Sequence, residues 1–215
     1  VQMNIIVFGA TGRVGQAIVK ELLKRKHQVT AAVRDVQRLG GLTGDVKVVE
    51  VVEVDLLSLA DVTEAARGHE LIISAYGPRF GAEDELVEVA RILIEAAKKA
   101  QVPRILVVGG AGSLKTGSGE LLMDTLEFPE EARPLALAHA EAFAVISQAE
   151  VIWTYFSPAA VIKPGLRTGN FRIGTDWLVT DELGYSRISI EDYAVALVDE
   201  AEEAEFVNAR FTVGY

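Results

Sequence analysis

Asn4-Ile5-Ile6-Val7-Phe8-Gly9-Ala10-Thr11-Gly12-Arg13-Val14-Gly15 is the stretch whose reading decides the fold. Ile5 to Phe8 is an unbroken apolar run, as a strand buried on both faces requires, and it leads directly into glycines at 9, 12 and 15. Val14, Ala17, Ile18, Leu22 and Leu23 then recur at helical spacing through Lys26. A buried strand, a glycine turn and a helix in that order make a diphosphate-binding turn. The glycines allow the chain to reverse and a ligand to approach the main chain, and the helix turns its free N–H groups and positive dipole end toward an anion.

Outward from that turn, strand-like and helix-like runs alternate. Strands are predicted over Gln28 to Val33, Lys47 to Val54 (after a Gly44-Asp45 turn), Glu70 to Ala75, Arg104 to Val108 and Val151 to Phe156, with a last one over Arg210 to Val213. Helices are predicted over Leu59 to Arg67, Asp84 to Ala100 and Glu130 to Gln148. Ser189 followed by Asp192 forms a capping box for a helix running through Val198. Gly109 to Pro129 reads as a long loop, and Ala159 to Tyr185 as short strand pieces with glycines and the aromatic residues Phe171 and Trp177. The expected architecture is α/β: a Rossmann-type doubly wound parallel sheet in one domain over 1–215, with a small C-terminal substrate lobe built mainly from 159–187.

Composition narrows the function. The 215 residues carry 31 acidic against 21 basic side chains, a formal net charge of −10, so general binding to nucleic acid is not expected. There are no cysteines, which excludes disulfides, a thiol nucleophile and thiolate-bound metal. No apolar run reaches the ~18 residues of a membrane span, and no leader-like segment precedes the first strand. A cytoplasmic protein free of the membrane is expected, as a monomer or homodimer. His27, His69 and His139 lie far apart and in no ligand spacing, so no metal site is expected.

The turn, taken as Gly9, Ala10, Thr11, Gly12, Arg13, Val14 and Gly15, implies a dinucleotide. The second strand ends in Ala32-Val33-Arg34-Asp35. An arginine there pairs with a ribose 2′-phosphate and an acid accepts from a 2′-hydroxyl, so Arg34, the first polar residue after the strand, favours NADP(H) over NAD(H). The alternative is that Arg34 is a solvated charge and Asp35 caps the next turn. Asp55, beside Leu56, is either an acceptor for the adenine amino group or a cap for the helix after Ser58. Ala75-Tyr76-Gly77 and Gly109-Gly110 end two further strands at the carboxyl edge, where ligands bind in such sheets.

These residues carry a family resemblance covering nearly the whole chain. Val7 to Gly15, Val33-Arg34-Asp35, Val108 to Leu114 and Trp153-Thr154-Tyr155-Phe156-Ser157-Pro158 resemble the atypical short-chain dehydrogenase/reductase group, in particular the NADH-flavin reductase, NmrA-like and biliverdin reductase B-like proteins. The resemblance implies that Gly9 to Gly15 hold the diphosphate, that Arg34 contacts the 2′-phosphate, and that Phe156, Ser157 and Pro158 line the nicotinamide. It places Ser113 near the group's serine position. The chain departs from the pattern at one place. A Tyr-x-x-x-Lys pair would fall near Leu135 and His139, and no tyrosine occurs between Tyr76 and Tyr155. Carbonyl reduction needs a proton donor at the developing alkoxide, whereas hydride transfer to a flavin or quinone spreads the incoming charge over rings. The expectation is therefore a reductase for a flat acceptor. Alternatives are a non-catalytic NmrA-like cofactor sensor, an epimerase/dehydratase-like enzyme, and a reductase using an unusual acid such as His139. Phe171 and Trp177 are candidate stacking residues for the acceptor.

Overall fold

A computed structural model of the chain describes residues 1–38 and 50–215. Eight strands form one sheet, in the order β3-β2-β1-β4-β5-β6-β10-β8. The strands are β1 (Asn4–Phe8), β2 (Gln28–Val33), β3 (Glu50–Glu53), β4 (Leu71–Ser74), β5 (Arg104–Val108), β6 (Ile152–Ser157), β8 (Arg172–Gly174) and β10 (Ala209–Gly214). All neighbours are parallel except β10 and β8. Two further strands, β7 (Val161–Lys163) and β9 (Arg187–Ser189), pair in parallel as a separate ribbon. The expected doubly wound sheet is present. The first three residues of the predicted third strand, 47–49, fall with the Gly44-Asp45 turn outside the described residues; Glu50 to Glu53 is strand.

The apolar run of β1 explains the layering. Successive side chains of a strand point to opposite faces, so Ile5 and Val7 enter one core and Ile6 and Phe8 the other. The first core is covered by α1 (Arg13–Lys24) and α5 (Ile190–Glu203), with Ile18, Leu22, Tyr193 and Leu197 fully buried. The second is covered by α2 (Leu59–Ala66), α3 (Glu85–Ala100) and α4 (Arg133–Ile146), with Val62, Leu93, Ala97 and Ile146 buried. Aromatic rings anchor the C-terminal half: Phe156 stacks on Tyr193 at 4.1 Å and on Phe211 at 4.0 Å.

Helix ends follow local chemistry. Ser58 caps α2 by accepting from the Asp61 N–H, and Ser189 caps α5 by accepting from the Asp192 N–H, as its capping-box spacing predicts. The predicted helix at Glu130 opens instead as a 3-10 turn over Glu130–Ala132. The α-helix begins at Arg133, with Pro134 in its first turn where no N–H is needed. Within the long loop after β5, a 3-10 turn at Leu122–Asp124 and a bridge from Lys115 to Trp177 give order that the sequence pattern did not announce.

Residues 165–169 are tied to the body by buried carboxylates. Glu21 on α1 accepts from Arg167 at 2.7 and 3.0 Å and from Arg25 at 2.9 Å. The Arg167 guanidinium, acting against burial and joined by Arg25, holds the Glu21 carboxyl down at about 2. Asp192, fully buried, accepts from the Thr168 and Gly169 N–H groups, the Thr168 hydroxyl and the Tyr215 hydroxyl. Residues 165–169 are thereby strapped across α1 and α5.

Candidate functional site

The strand order reverses its direction between β1 and β4, and in open α/β sheets that crevice at the carboxyl ends is where ligands bind. The turns after these two strands come into close contact there. Gly9 has φ +72°, and a Cβ on it would lie 2.6 Å from the Ala75 carbonyl carbon. A Cβ on Gly15 would overlap the Gly9 carbonyl oxygen, so α1 can meet β1 this closely only without a side chain. Gly12 differs. Its Cβ would meet only the Gly9 oxygen, at an ordinary 3.5 Å. Packing within the chain does not require a glycine at 12; the space beside it opens into a cleft.

That cleft is a cavity of about 160 Å³ lined by Phe8, Gly9, Thr11, Gly12, Ala32, Val33, Arg34, Val54, Leu56, Ala75, Tyr76 and Gly77. Gly12 is the N-cap of α1, and no side chain caps that end and no acid stands in its first turn. The first N–H groups of a helix lack intrahelical partners, so this uncapped terminus suits an anion. The residues present fit a dinucleotide: a bare main-chain cradle, an uncapped helix start and a cation at the far wall. Arg34 supplies that cation and has no carboxylate within 4 Å among the described residues, whereas Asp35 is turned to the Gln37 N–H at 2.8 Å and to Arg38. Tyr76 donates to Glu85 at 3.0 Å, fixing the wall of the cleft to the start of α3. Burial and the Glu85 carboxylate push the Tyr76 phenol up to about 12, so it stays a neutral donor.

The other predicted positions are distributed differently. Ala10 is buried in the core, while Arg13, Val14 and Gly15 form the first turn of α1 behind the cleft. Asp55 does not line the cavity: its Oδ1 accepts from the Leu57 N–H at 3.0 Å, and its carbonyl accepts from Ser58, so it shapes the turn into α2. Phe156 is fully buried between Tyr193 and Phe211, which removes its side chain from any ligand; Ser157 and Pro158 are buried beside it, and the Ser157 hydroxyl has no partner. Gly109 and Gly110 have a packing reason. A Cβ on Gly109 would overlap the Tyr155 ring, and one on Gly110 would lie 2.8 Å from the His139 ring.

The candidate proton donors are occupied or neutral. Ser113 accepts from Arg210 at 2.7 Å, and Arg210 lies over the Phe143 ring. Burial pushes the His139 imidazole down to about 4, so at neutral pH it carries no proton to donate as a cation. Tyr155 reaches toward α4, where the missing tyrosine would stand. Its hydroxyl accepts from the Gly110 N–H at 3.1 Å and donates to the His139 carbonyl at 3.3 Å, within the core.

A second, larger cavity, about 770 Å³, lies among segments that follow the carboxyl ends of β5 and β6. Its lining combines Leu122, Val161, Leu178 and Tyr185 with Glu120, Glu127, Lys163 and Arg187. Neither Phe171 nor Trp177 lines it: Phe171 packs on the core, and Trp177 lies beneath the Lys115 ammonium at 5.5 Å. The aromatic residue at the cavity is Tyr185, 62 % exposed. No short pattern marks Tyr185, Lys163 or Arg187, because only pairing between β7 and β9 brings them together. Among the described residues no group of His, Asp and Glu converges as a metal site, and no helix is long and apolar enough to cross a membrane.

Comparison with known proteins agrees with this geometry. The chain is 40% identical to YwnB, an uncharacterised protein of Bacillus subtilis, over 98% of both sequences. A Bacteroides thetaiotaomicron structure provisionally described as an epimerase is 40% identical, with a TM-score of 0.90 over 100% of this chain and 98% of that one. One from Streptococcus pneumoniae, provisionally described as an NADH-flavin reductase, is 33% identical, with a TM-score of 0.85 over 99% of each chain. The family model for NAD(P)H-binding proteins matches residues 9–201, and the chain belongs to that family.

Proposed function

We propose that the protein is a reductase that uses NADPH in preference to NADH and passes hydride to a flat acceptor, a flavin or a quinone. The observation that carries this reading is a nucleotide cleft with Arg34 at its wall, together with a large, mostly apolar cavity, while Ser113 and Tyr155 are engaged in other hydrogen bonds and His139 is neutral. The bound nicotinamide supplies a hydride, two electrons and one proton, and the second proton of acceptor reduction comes from water.

The chain's own part is binding and orientation. Gly9 to Gly12 and the start of α1 receive the diphosphate, and Arg34 pairs with a 2′-phosphate. The loop after β5 and the β7–β9 ribbon enclose the acceptor and hold it in line, which contributes by proximity rather than by proton transfer. Such chemistry tolerates a site in which Ser113, His139 and Tyr155 are engaged elsewhere or neutral. Epimerase or dehydratase work would need the acid–base pair that is missing here.

The occupied donors also suit a non-catalytic cofactor sensor, which needs no acid. NADPH oxidation with FMN or menadione, followed by absorbance, separates the two. Steady oxidation that collapses in Gly12→Trp supports the reductase. Cofactor binding without turnover across flavins and quinones refutes it in favour of the sensor.

A further inference from the structure

The ribbon of β7 and β9 has two unlike faces. Ile162 and Ile188 pack into the core, so the alternate residues Val161, Lys163 and Arg187 point the other way. On that side lie the 770 Å³ cavity and a smaller apolar one of about 270 Å³, beneath the strap at Pro164, Gly165 and Leu166. Val161, Lys163 and Arg187 line both, so the two cations stand at the boundary between the chambers. Arg187 pairs with Asp181 at 3.2 Å, while Lys163 has no carboxylate within 4 Å among the described residues. The acids of the larger cavity, Glu120 and Glu127, belong to the loop wall 116–127 and not to the ribbon.

This distribution has a direction. An anion is repelled from the loop wall and attracted to the ribbon wall, where the exposed Lys163 ammonium stands beside the Arg187 guanidinium. A planar ring meanwhile has Leu122, Leu178, Val161 and Tyr185 to lie against. We infer that the acceptor is a flat molecule bearing an anionic group on a short chain, and that Lys163, assisted by Arg187, is the residue that selects it. The inference deepens the reductase reading and rests on it for the identity of the cavity as the acceptor site.

FMN and riboflavin share one ring system and differ by a phosphate, and menadione has no anionic arm. With NADPH as donor, kcat/KM for FMN is expected to exceed that for riboflavin by about tenfold or more at low ionic strength, the gap narrowing as salt screens the contact. Lys163→Gln is expected to shrink the FMN-to-riboflavin ratio about tenfold, and Lys163→Arg to restore most of it. Dissociation constants for the two flavins, read by fluorescence quenching without nicotinamide, should move in parallel. If both flavins bind and turn over alike, or if Lys163→Gln leaves their ratio unchanged, the anion-selecting role is overturned while the reductase reading stands. If FMN binds through Lys163 but neither flavin nor menadione is reduced, the reductase reading fails and the anion site survives. If no flavin binds, the inference is lost.

Discussion

The cleft at the glycine turn and the larger cavity are built by different means. The cleft is local: residues 9–15 make one turn, and the ends of β2 and β4 supply its walls, all positioned by parallel pairing with β1. The larger cavity draws on three distant segments, 116–127, 160–163 and 178–187, and is held by long-range ties such as the Lys115 to Trp177 bridge and the Glu21 to Arg167 pair. The first site is a property of the sheet; the second is a property of what is strapped onto it.

The sharpest break in this comparison lies within the glycine turn. Gly15→Ala places a methyl into the Gly9 carbonyl at the α1–β1 contact and is expected to cost at least ~3 kcal/mol, read as loss of cooperative unfolding or a large fall in denaturant midpoint. Next is Arg34→Asp, which removes a 2′-phosphate partner and adds an acceptor for a 2′-hydroxyl. The ratio of NADPH to NADH affinity should fall by about tenfold to a hundredfold, and an unmoved ratio removes Arg34 from the site.

The strap at 165–169 is tested through its tie to α1. Glu21→Gln breaks a carboxylate shared by Arg167 and Arg25 and should lower stability by about 2 kcal/mol, with proteolysis first at the 165–169 strap. Its pH dependence has a definite sign. The folded carboxyl is held at about 2 against 4.5 when unperturbed, so its contribution is complete above about 4.5 and is lost as pH falls toward 2. The variant should lack that part of the acid transition. The smallest effect is expected at His139. Because its imidazole titrates near 4, the rate should show no inflection near 6.5, and His139→Gln should change kcat less than about threefold.

Legibility followed the same division. Phe8-Gly9 and the periodic run from Val14 announce the first crossover because strand, turn and helix are all short-range patterns. Arg34 could be placed at the cleft wall because it directly follows β2 at the carboxyl edge of the sheet. Position along the chain does not reveal side-chain direction: of the two readings of Asp55 the structure shows the local turn into α2, and Phe156, expected at the nicotinamide, points into the α5 layer. Gly109 and Gly110 look like ligand glycines in sequence, yet Tyr155 and His139 fill the space beside them. Lys163 and Tyr185 carried no signal, since their meeting depends on the pairing of β7 with β9, whose partners lie more than twenty residues apart.

The central claim is that Gly12 is kept free of a side chain for a ligand, while Gly9 and Gly15 are kept so for the fold. Calorimetric titration of NADPH into the native protein and Gly12→Val, with thermal unfolding of both, tests this most directly. The account predicts saturable binding to the native protein and at least about tenfold weaker binding to the variant, with midpoints differing by only a few degrees. Undiminished NADPH binding by a folded Gly12→Val protein would contradict it.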